Sequence, residues 1–161
     1  MDRISRTVEA SKDFRARMKS LYDECLADIQ GSNENLGSVI SRYGVRIAAA
    51  VDAKAIVTPT IRGNTARILS VFRPSVPILA VTPDKQADRV MQLYWGVNTR
   101  LRPMVDDAET MIEDTLKVVS DKGVADTGDK ILLVAGLPLE SPNPVNTVRV
   151  IILGTADWRL K

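Results

Sequence analysis

The sequence predicts an α/β fold, a three-layer α/β/α sandwich built on a mostly parallel sheet of about five strands and preceded by a long N-terminal helix. Two observations lead there. Short continuous apolar runs, Ala55-Ile56-Val57, Val76-Pro77-Ile78-Leu79-Ala80-Val81 and Ile131 to Ala135, have the composition of strands buried on both faces. Segments with helical periodicity separate them, and strands joined through helices need helices over both faces of the sheet. A last apolar run, Asn146 to Leu153, follows a proline-rich loop and reads as an antiparallel closing strand.

Taken in order, Ile4, Val8, Met18, Leu21, Tyr22, Leu26 and Ile29 recur at helical spacing up to Gly31-Ser32-Asn33, which predicts one long amphipathic helix over 1–30. Its apolar face suits either the domain's own core or a neighbouring domain or subunit. The α/β sandwich then occupies 35–161, so that the whole chain, 1–161, is one domain. Leu36 to Val51 mixes apolar and small residues and ends in Ala48-Ala49-Ala50, as expected of a helix pressed against a sheet. Ala55-Ile56-Val57 begins a strand, a turn with Gly63 opens a short helix, and Val76 to Val81 is the second strand. Asp84 to Gln92 is a short polar helix, and Tyr94 to Val97, carrying Trp95, is the expected third strand. Val105 to Ser120 places Met111, Ile112, Leu116 and Val119 on one face behind an acidic first turn that suits the helix dipole. Gly123 ends it, and the Gly128-Asp129 turn leads into the fourth strand.

Bulk properties exclude several functions. A chain of 161 residues is long enough for one good core and short for a two-domain enzyme. A formal net charge of +2 is too small to direct it to nucleic acid or to an anionic membrane surface. Cys25 is the single cysteine and histidine is absent, which removes an internal disulfide, a Cys/His metal cluster and the commonest general base. Cys25 itself reads as a packing residue. The start, Met1-Asp2-Arg3-Ile4-Ser5-Arg6, is charged and lacks the apolar core of a signal peptide, and no apolar run has the length of a membrane span. The expectation is a cytoplasmic protein without a nucleic-acid or membrane partner. The acidic pairs Asp106–Asp107 and Glu113–Asp114 lie on a solvated helix, where dipole and solubility roles suit them better than a metal site.

The turn Thr58-Pro59-Thr60-Ile61-Arg62-Gly63-Asn64-Thr65-Ala66-Arg67 is the candidate site. A helix starting straight after a strand leaves its first N–H groups free and places partial positive charge there, which suits an anion. Gly63 permits positive φ and close approach of a ligand, Asn64 or Thr65 is a candidate cap, and Arg62 or Arg67 adds a planar cation. No Gly-Lys-Ser/Thr follows, and only one glycine is present, so neither a Walker P-loop nor a dinucleotide fingerprint is meant. From these residues alone, a phosphate cradle and an ordinary capped turn both stand. The turn and the Gly136 to Val145 loop share the carboxyl end of the expected sheet, where α/β proteins bind ligands.

Lys54-Ala55-Ile56-Val57 with the Thr-rich turn, Gly63-x-Thr65-Ala66-Arg67, Arg73-Pro74-x-x-Pro77-Ile78, Ala80-Val81-Thr82, Trp95-Gly96-Val97, Gly128-Asp129, Ala135-Gly136 and Asn146-Thr147-x-Arg149-Val150 follow one another in the order and spacing of a known family. Across nearly its whole length the sequence thus resembles the C-terminal domain of pyruvate kinase. Met1-x-x-Ile4 and Glu9 resemble the segment where the family's chain leaves its catalytic barrel, and Trp158 to Lys161 closes where many members end.

The resemblance implies a regulatory, effector-binding and subunit-assembly domain with no catalytic residues and no metal site of its own. Mg²⁺ and K⁺ would be held by the barrel, as would phosphoenolpyruvate and ADP, because phosphoryl transfer depends on positioned charge. It implies a phosphorylated effector bound by Thr60, Ile61, Arg62, Gly63, Asn64 and Thr65, with Ser141 and Asn143 from the second loop, and self-association into a dimer or tetramer. Two departures bear on the effector. Arg62 stands where the family usually has a serine, which leaves three roles open: binding phosphate, reaching another subunit, or pairing with a local acid. The loop Leu137-Pro138-Leu139-Glu140-Ser141-Pro142-Asn143-Pro144-Val145 replaces a glycine-rich one, and Met111 aligns where some members carry a basic residue. Prolines remove N–H donors and Glu140 repels a second phosphate, so a monophosphate is expected rather than a bisphosphate. A stand-alone protein built on the same domain, binding a phosphorylated metabolite or serving an unrelated role, is the alternative.

Overall fold

The computed structural model describes residues 2–27, 35–103, 105, 107–121, 123–137 and 145–155, which fall into two units, Met1–Asn33 and Glu34–Lys161. In the first unit the expected single helix is divided into α1 (Asp2–Glu9) and α2 (Lys12–Ala27). The division has a local cause at Ser11. Its hydroxyl accepts the Phe14 N–H at 3.2 Å, the N-cap arrangement that starts a new helix, while its own N–H donates to the Val8 carbonyl at 3.0 Å. Ile29 lies outside the described residues.

The second unit runs α3 (Leu36–Ala50), β1 (Ala55–Pro59), α4 (Asn64–Val71), β2 (Ile78–Thr82), α5 (Lys85–Met91), β3 (Val97–Leu101), α6 (Ala108–Asp121), β4 (Lys130–Ala135) and β5 (Thr147–Ile152). The five strands form one sheet in the order β3-β2-β1-β4-β5. β1 is parallel to both β2 and β4, β2 is parallel to β3, and β5 alone runs antiparallel, against β4. The chain therefore steps outward from β1 to β3 and returns to β4 on the other side of β1. That reversal sets a topological switch point between the carboxyl ends of β1 and β4.

Both faces of the inner strands are covered, which explains their unbroken apolar runs: every residue of β1 and β2 is buried. On one face α6 places Met111, Ile112, Val118 and Val119 against Val57, Leu79, Ile131, Leu133 and Ile151. On the other, Ala66 of α4 packs with Ala80 of β2 and with Ala87 and Met91 of α5. α3 shares that second face, and it comes very close. A Cβ on Gly44 would lie 3.3 Å from Val134 Cγ2 and 3.6 Å from Leu132 Cδ2, so the small residues of α3 are a packing requirement.

The third strand is displaced from the sequence expectation. It is not Tyr94–Val97 but Val97–Leu101, an alternating, half-buried edge strand whose Asn98 and Arg100 disguise it. Tyr94 closes the turn after α5, its N–H donating to Met91 O at 3.0 Å. Trp95 is held at a corner instead, with its carbonyl accepting the Ser70 hydroxyl at 2.9 Å and the Arg73 guanidinium 4.4 Å from its ring centroid. Asp84 caps α5 through the N–H groups of Gln86 and Ala87. Asp107 caps α6 in the same manner, and hydrogen bonds from the Thr110 N–H and hydroxyl hold its carboxyl below the usual carboxylate range. Here the acidic first turn of α6 serves the helix itself, while Asp106 lies outside the described residues.

Candidate functional site

β1 ends in Pro59, and the chain turns through Thr60 to Gly63 before entering α4. The turn is tied to the end of β2 at two points. Thr60 N–H donates to Val81 O at 2.9 Å, and the Thr82 hydroxyl donates to Ile61 O at 2.9 Å. Inside the turn, Thr60 Oγ1 accepts the Gly63 N–H at 3.1 Å. Gly63 sits at φ 79°, a left-handed conformation open to glycine, and is itself the N-cap of α4.

This corrects the expected cap. Asn64 and Thr65 do not cap the helix; they occupy its first turn, and no side chain among the described residues caps it. The positive φ at Gly63 has already reversed the chain, so Asn64 begins in helical conformation. The N–H of Arg67 takes Gly63 O at 3.0 Å, which leaves the N–H groups of Asn64, Thr65 and Ala66 without intrahelical acceptors. They form the positive end of the α4 dipole, an arrangement that suits an anion.

Six of the residues expected at the site belong to this one turn. Ile61, Arg62 and Asn64 are exposed, Thr60 is half-buried, and Gly63 and Thr65 are buried. Arg62 is exposed and has no acidic partner among the described residues. Ser141 and Asn143 lie outside the described residues, with the rest of 138–144. The base of their loop is described: Asn146 accepts the Leu137 N–H at 2.9 Å and returns its side-chain NH₂ to Leu137 O. Met111 is 8% exposed and packed into the core under α6, so that position faces the sheet and not a ligand.

Thr82 and Met91, which the sequence reading missed, complete the turn together with Thr58. Thr82 straps Ile61, as above. Thr58 is fully buried, and its Oγ1 has no hydrogen-bond partner among the described residues. It pairs in register with Ala80, which packs against Ala66, so this orphan hydroxyl lies on the sheet face under the first turn of α4. For Thr82, a threonine closing an apolar strand was the available signal. Met91 had none. A Cβ on Gly63 would come within 2.8 Å of Met91 Cγ and 3.0 Å of Sδ, so the close approach that requires glycine here is to Met91. Among the described residues, no group of His, Cys, Asp and Glu is placed to hold a metal, and no helix is long and apolar enough to cross a membrane.

The family model described as pyruvate kinase, alpha/beta domain, matches residues 38–151. The pyruvate kinase of Clostridium perfringens is 30% identical over 150 residues, covering 93% of this chain and 31% of that protein. That of Clostridium acetobutylicum is 32% identical over 130 residues, covering 80% of this chain and 28% of the relative. Among solved structures, the Cryptosporidium parvum pyruvate kinase in complex with ADP superposes with a TM-score of 0.74 at 27% identity, over 84% of this chain and 27% of that one. The chain thus spans about a third or less of the length of these curated relatives. With its sheet order, its turn after β1 and this match over most of its length, the chain belongs to the pyruvate kinase alpha/beta domain family.

Proposed function

We propose that this chain is a regulatory domain of a pyruvate kinase that binds a phosphorylated metabolite at the turn after β1, promotes subunit assembly, and does not itself transfer phosphate. The observation that carries the reading is the open start of α4, with free N–H groups at Asn64, Thr65 and Ala66 beside the switch point of the sheet. The turn gathers donors and cations and no nucleophile or metal-binding carboxylates, which suits binding and not phosphoryl transfer. A monophosphate fits better than a bisphosphate. Met111 is in the core, and Pro138, Pro142 and Pro144 deprive the second loop of N–H donors. A cytoplasmic location accords with a metabolite effector.

Thermal shift of the full chain against inorganic phosphate, sugar monophosphates, AMP and fructose bisphosphate tests this. A monophosphate at a hundredfold excess over its Kd should stabilise the fold by about 2.7 kcal/mol, with the bisphosphate no better. A flat response across the panel contradicts the reading. The assembly role is supported by β5, an edge strand whose Val150 is 40% exposed and whose Ile152 is 39% exposed. Sedimentation velocity should show dimers or larger species at micromolar concentration; a monomer throughout would count against assembly through this chain alone.

A further inference from the structure

We infer that Met91 positions the anion-binding turn, a role that rests on the reading of that turn as a phosphate seat. Met91 closes α5 and is 1% exposed. It packs with Ala66, the third residue of α4, and with Ala80 and Ala87. The end of its side chain lies along Gly63, with Cγ, Sδ and Cε at 2.8, 3.0 and 3.9 Å from the site of an added Cβ. One side chain therefore supports both the N-cap of α4 and the last of its free N–H groups.

This support matters because glycine does not hold its own conformation. Gly63 has the widest φ range of any residue, and its left-handed φ of 79° must be set by its surroundings. Thr60 Oγ1 accepts its N–H, and Met91 fills the space where a side chain would stand. Small alanines at 66, 80 and 87 leave a slot that the unbranched Met91 side chain fills. The directions of the Asn64, Thr65 and Ala66 N–H groups follow from the Gly63 conformation. Met91 is a positioning residue: it touches no ligand and decides where the donors point.

Filling the core and positioning the turn are separable. Met91→Leu conserves core volume, a change cores tolerate well, but moves a branch to the Cγ beside Gly63. With the full chain, the variant should keep its Tm within a few degrees of the parent. It should nevertheless bind inorganic phosphate and glucose 6-phosphate about tenfold more weakly. Its Gly63 amide should exchange about tenfold faster, while amides of β4 keep their parent rates. Met91→Ala should lose both stability and affinity. Wild-type affinity and wild-type Gly63 exchange in a stable Met91→Leu protein would overturn the inference and leave Met91 a core filler. Should the parent bind no phosphate, the reading of the turn as a phosphate seat fails, and Gly63 exchange in Met91→Leu still decides whether Met91 holds the turn.

Discussion

Gly63→Val should lower the unfolding free energy of the domain by about 2–5 kcal/mol, the sum of a left-handed penalty for a side-chain-bearing residue and the cost of overpacking a filled core. Both terms have a named origin. The backbone stands at φ 79°, where a β-branched residue is strained, and the new Cβ would meet Met91 Cγ at 2.8 Å. Met91 is flanked by Ala66, Ala80 and Ala87 and fully buried, so it has little room to withdraw. Urea unfolding followed by circular dichroism measures the effect, and a loss under about 1 kcal/mol would show that the turn relaxes at little cost. The same contact changes how substitutions at Gly63 must be used. Any loss of ligand binding in Gly63→Asp or Gly63→Val mixes a blocked seat with a displaced α5. Thr60→Val, which removes the Oγ1 acceptor of the Gly63 N–H while leaving the core intact, is the cleaner probe.

Leu133→Ala should be as severe, at about 2–5 kcal/mol. Leu133 is 1% exposed on β4, paired in register with Val57 on one side and with Arg149 on the other. Its side chain belongs to the cluster of Ile112, Val119, Ile131 and Ile151 beneath α6. A sheet cannot collapse into the cavity without breaking its ladders, so most of the truncated volume stays empty. Leu93→Ala, in the turn after α5, is the internal comparison: 85% exposed, it should change stability by no more than about 0.5 kcal/mol. Equal losses at the two positions would mean that the face under α6 is not the principal core.

Much of the architecture was legible because its signals are local. The apolar runs of β1, β2 and β4, the small residues of α3 and the apolar face of α6 need only neighbouring residues to be recognised, and β5 is the antiparallel closing strand expected. Where the sequence reading slipped, the deciding partner was subtle or remote. Tyr94 and Trp95 read as a strand because aromatic residues favour strands, yet Trp95 is claimed by Arg73 and Ser70, far back in the chain. The α1–α2 break turns on one hydroxyl, that of Ser11, within an otherwise continuous apolar stripe.

The candidate site shows the same division. The composition of the turn and its position after a buried strand marked it as a candidate anion seat, with an ordinary capped turn as the alternative. The cap was misplaced because Asn64 and Thr65 have the right chemistry for capping, and only the φ of Gly63 reveals that the helix has already begun. The strap from Thr82 to Ile61 and the support from Met91 join elements that are neighbours only once β2 is seated beside β1. Likewise Met111 aligned with a ligand position in the resemblance, and its burial under α6 settles that it packs in the core.

The most direct test of the central claim is a phosphate titration of the isotopically labelled chain, followed by amide chemical shifts. The N–H groups of Asn64, Thr65 and Ala66 should move together and saturate with one dissociation constant, with smaller shifts at Gly63 and Arg67 and little change at the far edge of the sheet. Saturable shifts centred elsewhere, or none in the α4 turn at millimolar phosphate, would contradict the assignment of this turn as the anion seat.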